Sequence, residues 1–178
     1  MSAEAKPKRI KWYRTPIDRD VLKQLNQRSD ALGFAQTLGY LGTYALTAGL
    51  AISAAIAWPW WAVLALVFLH GMVGSFMING VHELGHNTVF KTRSLNNFFE
   101  HVLAFLGWIN CEMFKASHAR HHAYTLHPPD DLEVVLPIRL MVKHFFMQGF
   151  FNVMGLKHAI RNTWRIVRGR LQGEWELT

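Results

Sequence analysis

The stretch LGYLGTYALTAGLAISAAIAW, residues 38–58, contains no Asp, Glu, Lys or Arg, and neither does WWAVLALVFLHGMVGSFMINGV, residues 60–81. As a helix, each is long enough to cross a bilayer, because about 20 residues span a hydrocarbon core of about 30 Å. Pro59 separates them, between tryptophans that favour a membrane interface. The sequence therefore predicts an all-α integral membrane protein built on one transmembrane helical hairpin.

Charge is distributed as in a membrane protein. The 178 residues carry a formal net charge of +7, and the basic residues flank the apolar stretches. They form no motif that reads a nucleic-acid groove, so lipid headgroups are the expected partners and nucleic acid is not. The segment before Leu38 is rich in Lys and Arg, whereas the turn at Pro59 has neither. The positive-inside rule therefore places the amino terminus and both outer ends of the hairpin in the cytoplasm.

The chain is expected to divide into four segments. They are a cytoplasmic amino-terminal arm at 1–37, the transmembrane hairpin at 38–81, a cytoplasmic histidine-rich region at 82–137 and an amphipathic basic segment at 138–178. Cys111 is the only cysteine. A single cysteine excludes an intramolecular disulfide, a cysteine-ligated iron–sulfur cluster and a structural zinc site built on cysteines.

Two segments are predicted to lie along the membrane surface. Residues 98–109 are apolar but too short to cross, and they include Glu100 and His101, which favours an interfacial or re-entrant helix. If this helix does not cross, the histidines before and after it lie on one membrane face. Residues 139–155 are interpreted as an in-plane amphipathic helix.

Further along the chain, four cations recur at helical spacing and share one face. They are Lys157, Arg161, Arg165 and Arg168. We interpret this face as solvated or headgroup-binding, with docking of an acidic electron-transfer partner as the alternative.

Histidine clusters carry the strongest chemical signal. Five of the ten histidines fall into two groups, His82-Glu83-Leu84-Gly85-His86 and His118-Ala119-Arg120-His121-His122. On a helix, positions i and i+4 lie on one face, as do i, i+3 and i+4, so each group can direct its imidazoles to a common point. Neutral imidazole binds both iron and zinc. We therefore predict that His82, His86, His118, His121 and His122 are metal ligands.

The isolated histidines are interpreted differently. His70 is predicted to be hydrogen-bonded inside the hairpin, and His101 to be structural. His127 is assigned to the loop before Pro128 rather than to the ligand set.

Glu83 has two possible roles. The first group fits H-E-x-x-H, in which two histidines bind zinc and the glutamate is a general base, as in a zinc intramembrane metalloprotease. Such an enzyme completes its site with an aspartate on a membrane helix, whereas Asp130 and Asp131 lie in a proline-containing loop. The protease also leaves the second histidine group without a role. In the alternative role, Glu83, Asp130 and Asp131 accept the second ring N–H of ligating histidines, with capping and loop solvation equally open.

The run from His82 to Pro137 resembles the membrane fatty acid desaturase family, and in particular bacterial-type acyl desaturases. His82 and His86 match that family's H-x-x-x-H box, which follows the first hairpin. The second histidine group matches its H-x-x-H-H box, which follows a short membrane-associated segment. The resemblance is carried by HELGHNTVFKTRSLN and FKASHARHHAYTLHPPDDLEVVLP.

This resemblance implies a non-haem di-iron oxidoreductase of lipid metabolism that uses O2. It implies desaturation of an acyl chain during fatty acid biosynthesis, with a ferredoxin or a cytochrome b5-like protein as the electron donor. Hydroxylation of a lipid, alkane or carotenoid by the same kind of centre is the close alternative. The family also has a second hairpin and a third histidine box, which this sequence lacks. We therefore expect the reading frame to continue past Thr178 and the 178 residues to be inactive alone.

Overall fold

The computed structural model describes residues 10–127, 131, 133 and 153–170. Within these residues the secondary structure is helical, which confirms the all-α prediction. The helices are α1 (Arg19–Leu25), α2 (Asp30–Ala57), α3 (Trp60–Ser75), α4 (Met77–Gly85), α5 (Arg93–Leu106), α6 (Cys111–Tyr124) and α7 (Val153–Val167).

The chain forms two compact units. The hairpin unit comprises Tyr13–Phe114, and the second-box unit comprises the residues up to Trp12 together with those from Lys115 onward. The first contains α1 to α5 and the start of α6, and the second contains the rest of α6 and α7.

Helices α2 and α3 pack against each other as the predicted hairpin. Their seam holds small side chains, since Ala51, Ala54 and Ala62 are all buried, and small residues let membrane helices approach closely. His70 Nδ1 lies 3.0 Å from Thr47 Oγ1, which confirms the predicted hydrogen bond inside the hairpin.

Both hairpin helices meet the requirements of a membrane span. One runs over Asp30–Ala57 for 28 residues, and the other over Trp60–Gly85 for 26 residues, with α4 continuing α3 past Phe76. Only 11% of the most apolar window of each is buried, whereas the core helix of a soluble protein would be enclosed. The first helix begins at Asp30 rather than at Leu38, because Ser29 caps it by accepting the Leu32 N–H.

Helix α5 spans 14 residues. At 1.5 Å per residue this is about 21 Å, less than the hydrocarbon core of about 30 Å. It begins at Arg93, upstream of the predicted residues 98–109, and ends at Leu106. Its length therefore fits the predicted helix that does not cross.

Helices α4 and α5 pack into the core of the hairpin unit, which includes Val81, Leu84, Phe90, Phe99 and Leu103. Close approach requires glycine here. A Cβ at position 80 would lie 2.4 Å from Leu103 Cδ1, and one at position 33 would lie 2.5 Å from Phe90 Cδ1.

A buried amide holds the connection between α4 and α5. Asn96 is 1% exposed, donates to Phe90 O (2.8 Å) and accepts from Phe90 N (3.0 Å). Thr92, at the start of α5, donates from its backbone N–H and its hydroxyl to the Asp30 carboxylate, at 2.8 and 2.7 Å. These contacts fix the segment that follows the first histidine group.

In the second-box unit, Trp12 Nε1 donates to Ala123 O (3.2 Å), and the Trp12 ring lies edge-on to His127. Helix α7 ends at Val167, and Gly169 follows it with a φ of +68°, which suits glycine just past a helix terminus. The in-plane helix predicted for residues 139–155 lies largely outside the described residues.

Candidate metal centre

The first histidine group lies at the carboxyl end of α4. His82 is in the last turn, and His86 is the C-cap residue, whose N–H donates to His82 O (3.1 Å). The helical geometry therefore extends through both histidines, and their ring centroids are 4.7 Å apart. His82 is half-buried and His86 is exposed.

Glu83 orients the first of these rings. Its Oε1 lies 3.1 Å from His82 Nδ1. Because an ionised carboxylate can only accept, this contact places the proton on Nδ1 and makes Nε2 the nitrogen that would bind a metal. The Thr88 hydroxyl is within hydrogen-bonding distance of Glu83 O (2.7 Å) and Glu83 Oε2 (3.1 Å).

Gly85 is the small residue inside the first group. A Cβ at this position would lie 3.2 Å from Glu100 Oε1, a separation tighter than ordinary van der Waals contact. Glu100 is 2% exposed, and Cys111 Sγ donates to the same oxygen at 3.0 Å. Packing of α5 beneath the histidines therefore explains glycine here.

The second histidine group lies on the last turns of α6. The His118 ring centroid is 4.5 Å from that of His122 and 5.8 Å from that of His121. The His121 and His122 centroids are 5.9 Å apart. The i, i+3, i+4 spacing therefore brings all three rings together, as the sequence predicted.

Asp131 contacts the second group through His121. Its side chain is buried, and both carboxylate oxygens lie 3.1 Å from His121 Nδ1. It also accepts the backbone N–H groups of Leu126 (2.7 Å) and Glu133 (2.9 Å). Leu126 has a φ of +65°, a conformation rare for leucine. The carboxylate that satisfies its N–H thus stabilises a strained turn as well as a histidine.

Glu133 repeats this arrangement at the neighbouring histidine. Its Oε2 lies 3.0 Å from His118 Nδ1, and its Oε1 accepts from the Ser117 hydroxyl at 3.1 Å. Glu133 was not among the site residues predicted from the sequence. The feature of the sequence that could have identified it is its position, two residues after Asp131. An acidic residue there can lie in the same loop as Asp131 and reach a second histidine.

The donor set fits iron. Three of the five predicted ligands, His82, His118 and His121, have a carboxylate at Nδ1. This is the partner that typically fixes the tautomer and orientation of a metal-binding imidazole. Imidazole nitrogen is a suitable ligand for iron. The residues present thus offer Nε2 donors in prepared orientations.

The other candidate residues have different positions. His101 Nδ1 lies 2.7 Å from Asn97 O and its Nε2 lies 3.9 Å from Glu112 Oε1, while His127 Nδ1 lies 2.8 Å from Thr125 O. Asp130 falls outside the described residues.

A cavity of about 270 Å³ lies in the hairpin unit beside the first group. Its lining includes Glu83, Gly80, Asn79 and Tyr40. The Tyr40 hydroxyl donates to Val73 O at 2.8 Å, across the hairpin. The cavity therefore adjoins the carboxylate that orients His82.

No curated protein or solved structure matches the chain significantly. The family model described as fatty acid desaturase matches residues 58–172, which is more than half of the chain. The matched range includes both histidine groups and the acids at positions 131 and 133. The family match thus agrees with the order of elements along the chain, which is hairpin, first box, short helix and second box. The chain belongs to the fatty acid desaturase family.

Proposed function

We propose that this protein is an oxygen-dependent di-iron desaturase that introduces a double bond into the acyl chain of a lipid. The observation that carries the proposal is the carboxylate found at Nδ1 in each histidine group. The proposed iron ligands are His82, His86, His118, His121 and His122. Family membership supports an oxidoreductase of the desaturase and hydroxylase type that acts on lipids at a membrane.

Within this proposal, the carboxylates of Glu83, Asp131 and Glu133 keep the Nδ1 protons of three ligating rings in place. Each ring then presents Nε2 without having to change tautomer, which lowers the cost of binding a metal. When bound, the irons supply the activation of dioxygen.

The proposed reaction balances with outside electrons. Two adjacent methylenes lose two hydrogen atoms and form the double bond, and O2 leaves as two waters. Two electrons must therefore come from an outside donor, and two protons from the solvent. We propose that this donor is a ferredoxin or a cytochrome b5-like protein. It would bind at the cytoplasmic face, where we also propose that both boxes and the amino terminus lie.

The zinc metalloprotease has less support. In that mechanism the glutamate of H-E-x-x-H acts on metal-bound water. Here Glu83 Oε1 is at hydrogen-bonding distance from the His82 ring. The second histidine group also has its own carboxylate partners, and the family match covers both groups.

Expression in the natural reading frame, with a ferredoxin and its reductase, tests the proposal. We expect a new unsaturated fatty acid by gas chromatography and mass spectrometry, together with bound iron. His121→Ala should abolish both, while the matched control His127→Ala should retain both. A hydroxylated product would instead assign the protein to the hydroxylases, and activity unchanged by His121→Ala would refute the ligand assignment.

A further inference from the structure

Helix α7 has an exposed apolar stripe that the proposed reaction does not use. Its members recur at i, i+3, i+7, i+11 and i+14, so they share one face. They are Val153, Leu156, Ile160, Trp164 and Val167. Each is between 51% and 69% exposed. Five large apolar side chains in a row are more than the isolated exposed residues of an ordinary surface.

A different face of α7 is less exposed. Gly155, Asn162 and Ile166 are half-buried and lie together on the helix, roughly opposite the exposed stripe. The apolar stripe is therefore a distinct face of the helix.

A basic face runs alongside the apolar stripe. It is formed by Lys157, Arg161, Arg165 and Arg168, and residues 153–170 include no Asp or Glu. Arg161, Arg165 and Arg168 also line a surface groove of about 460 Å³, together with Arg170. The face is therefore cationic along its whole length.

Two of these cations are held in position. The Arg165 guanidinium donates to Asn162 Oδ1 and to Arg170 O. The Arg168 guanidinium lies 5.0 Å from the centroid of the Trp164 ring. The tryptophan thus joins the basic face to the apolar stripe, and ordered guanidinium groups bind phosphate oxygens well.

From this geometry we propose that α7 is an interfacial helix that binds anionic phospholipid. The apolar stripe enters the acyl region, and the basic face binds headgroup phosphates. An apolar face, a cationic face beside it and a tryptophan between them are the properties of a helix that lies in a membrane interface. A soluble acidic protein would complement the cations but would leave the apolar stripe exposed to water. The bilayer complements both faces.

Fluorescence quenching of the whole protein in nanodiscs tests this. A bimane label is placed at Ile160→Cys on the stripe, and at Ala159→Cys as the matched control on a neighbouring face. Protein without an introduced cysteine gives the background from buried Cys111. The discs contain phosphatidylcholine alone or mixed with phosphatidylglycerol. Quenchers are a nitroxide on the lipid and iodide in the water.

We expect the label at position 160 to be quenched by the lipid nitroxide, more strongly with phosphatidylglycerol, and the label at position 159 by iodide. Arg161→Gln with Arg168→Gln should lower the ratio of inserted to water-exposed label roughly thirtyfold at low salt, about fivefold for each cation. Arg14→Gln with Arg19→Gln removes the same charge elsewhere and should leave the ratio unchanged.

Two results would overturn the proposal. One is equal iodide quenching at positions 159 and 160. The other is unchanged lipid quenching in the Arg161 and Arg168 variant while its affinity for the reduced electron donor falls, since the basic face would then be a protein-docking surface. Quenching by iodide and by the lipid nitroxide does not depend on whether the protein desaturates its substrate, so this test and that of the proposed function fail separately.

Discussion

The first histidine box is held by helix packing, whereas the second is held by acids. His82 and His86 end a helix whose other side is packed against α5, and the exposed Glu83 carboxylate lies beside the His82 ring. In the second box, Asp131 and Glu133 come from a later part of the chain and contact two rings. The two groups of proposed ligands thus depend on hydrophobic packing in one place and on polar contacts in the other.

This difference means that the two boxes should respond to different substitutions. Changes at the α4 and α5 contact should affect the first box through stability. Changes to the acids should affect the second through metal affinity. Four experiments test this, in decreasing order of predicted effect.

Removal of a ligand should have the largest effect in either box. His82→Ala and His121→Ala each delete an imidazole donor. We expect iron affinity to fall by more than the roughly 100-fold that loss of an outer partner costs, and activity to disappear. Iron content by mass spectrometry and product formation measure both. His101→Ala and His127→Ala are the matched controls. A similar loss of iron and activity in either control would show that the effect is not specific to the proposed ligands.

Asp131→Asn should come next. The substitution keeps the shape of the side chain but removes the charge that orients His121 Nδ1 and accepts two backbone N–H groups. We expect iron affinity to fall about 10- to 100-fold, measured by competition with a chelator. The helical circular dichroism should stay unchanged. An equal fall in Glu83→Gln would remove the distinction between the boxes.

Asn96→Leu should act on the first box through stability. The leucine leaves Phe90 N and Phe90 O without their buried partner, at a cost of about 2 kcal/mol in the free energy of unfolding. Thermal unfolding in detergent measures this as a lower midpoint. The exposed neighbour Asn97→Leu is the control and should change stability by less than about 0.5 kcal/mol. Equal effects of the two variants would contradict the proposed role of the Asn96 contacts.

Glu83→Gln should have the smallest effect. The contact with His82 is exposed, and exposed charge pairs contribute about 0 to 1 kcal/mol. We therefore expect iron affinity to fall by less than about fivefold in the chelator competition. A loss as large as that of a ligand would instead support a direct role for this carboxylate in catalysis, as in H-E-x-x-H enzymes.

The hairpin and the rings of each box could be predicted because their signals are local. Charge-free stretches set the spans, and the i, i+3, i+4 spacing sets which rings share a face. The contact of Asp131 was also anticipated. Glu133 and the Asn96 amide were missed, because their roles depend on where a loop folds back. The start of α2 at Asp30 was missed because helix capping by Ser29 extended the helix beyond the apolar stretch.

The length of the helix Trp60–Gly85 sets how far His82 lies from the hydrocarbon core. Its 26 residues reach about 39 Å, against about 30 Å of hydrocarbon. With Trp60 anchored at one boundary, His82 emerges only about 3 Å past the other. Bilayers differ in thickness by a few ångströms. This difference is enough to place the His82 imidazole inside the hydrocarbon core or outside it. Straight acyl chains thicken a bilayer and kinked ones thin it, so the proposed desaturation would itself depend on the composition of the surrounding lipid.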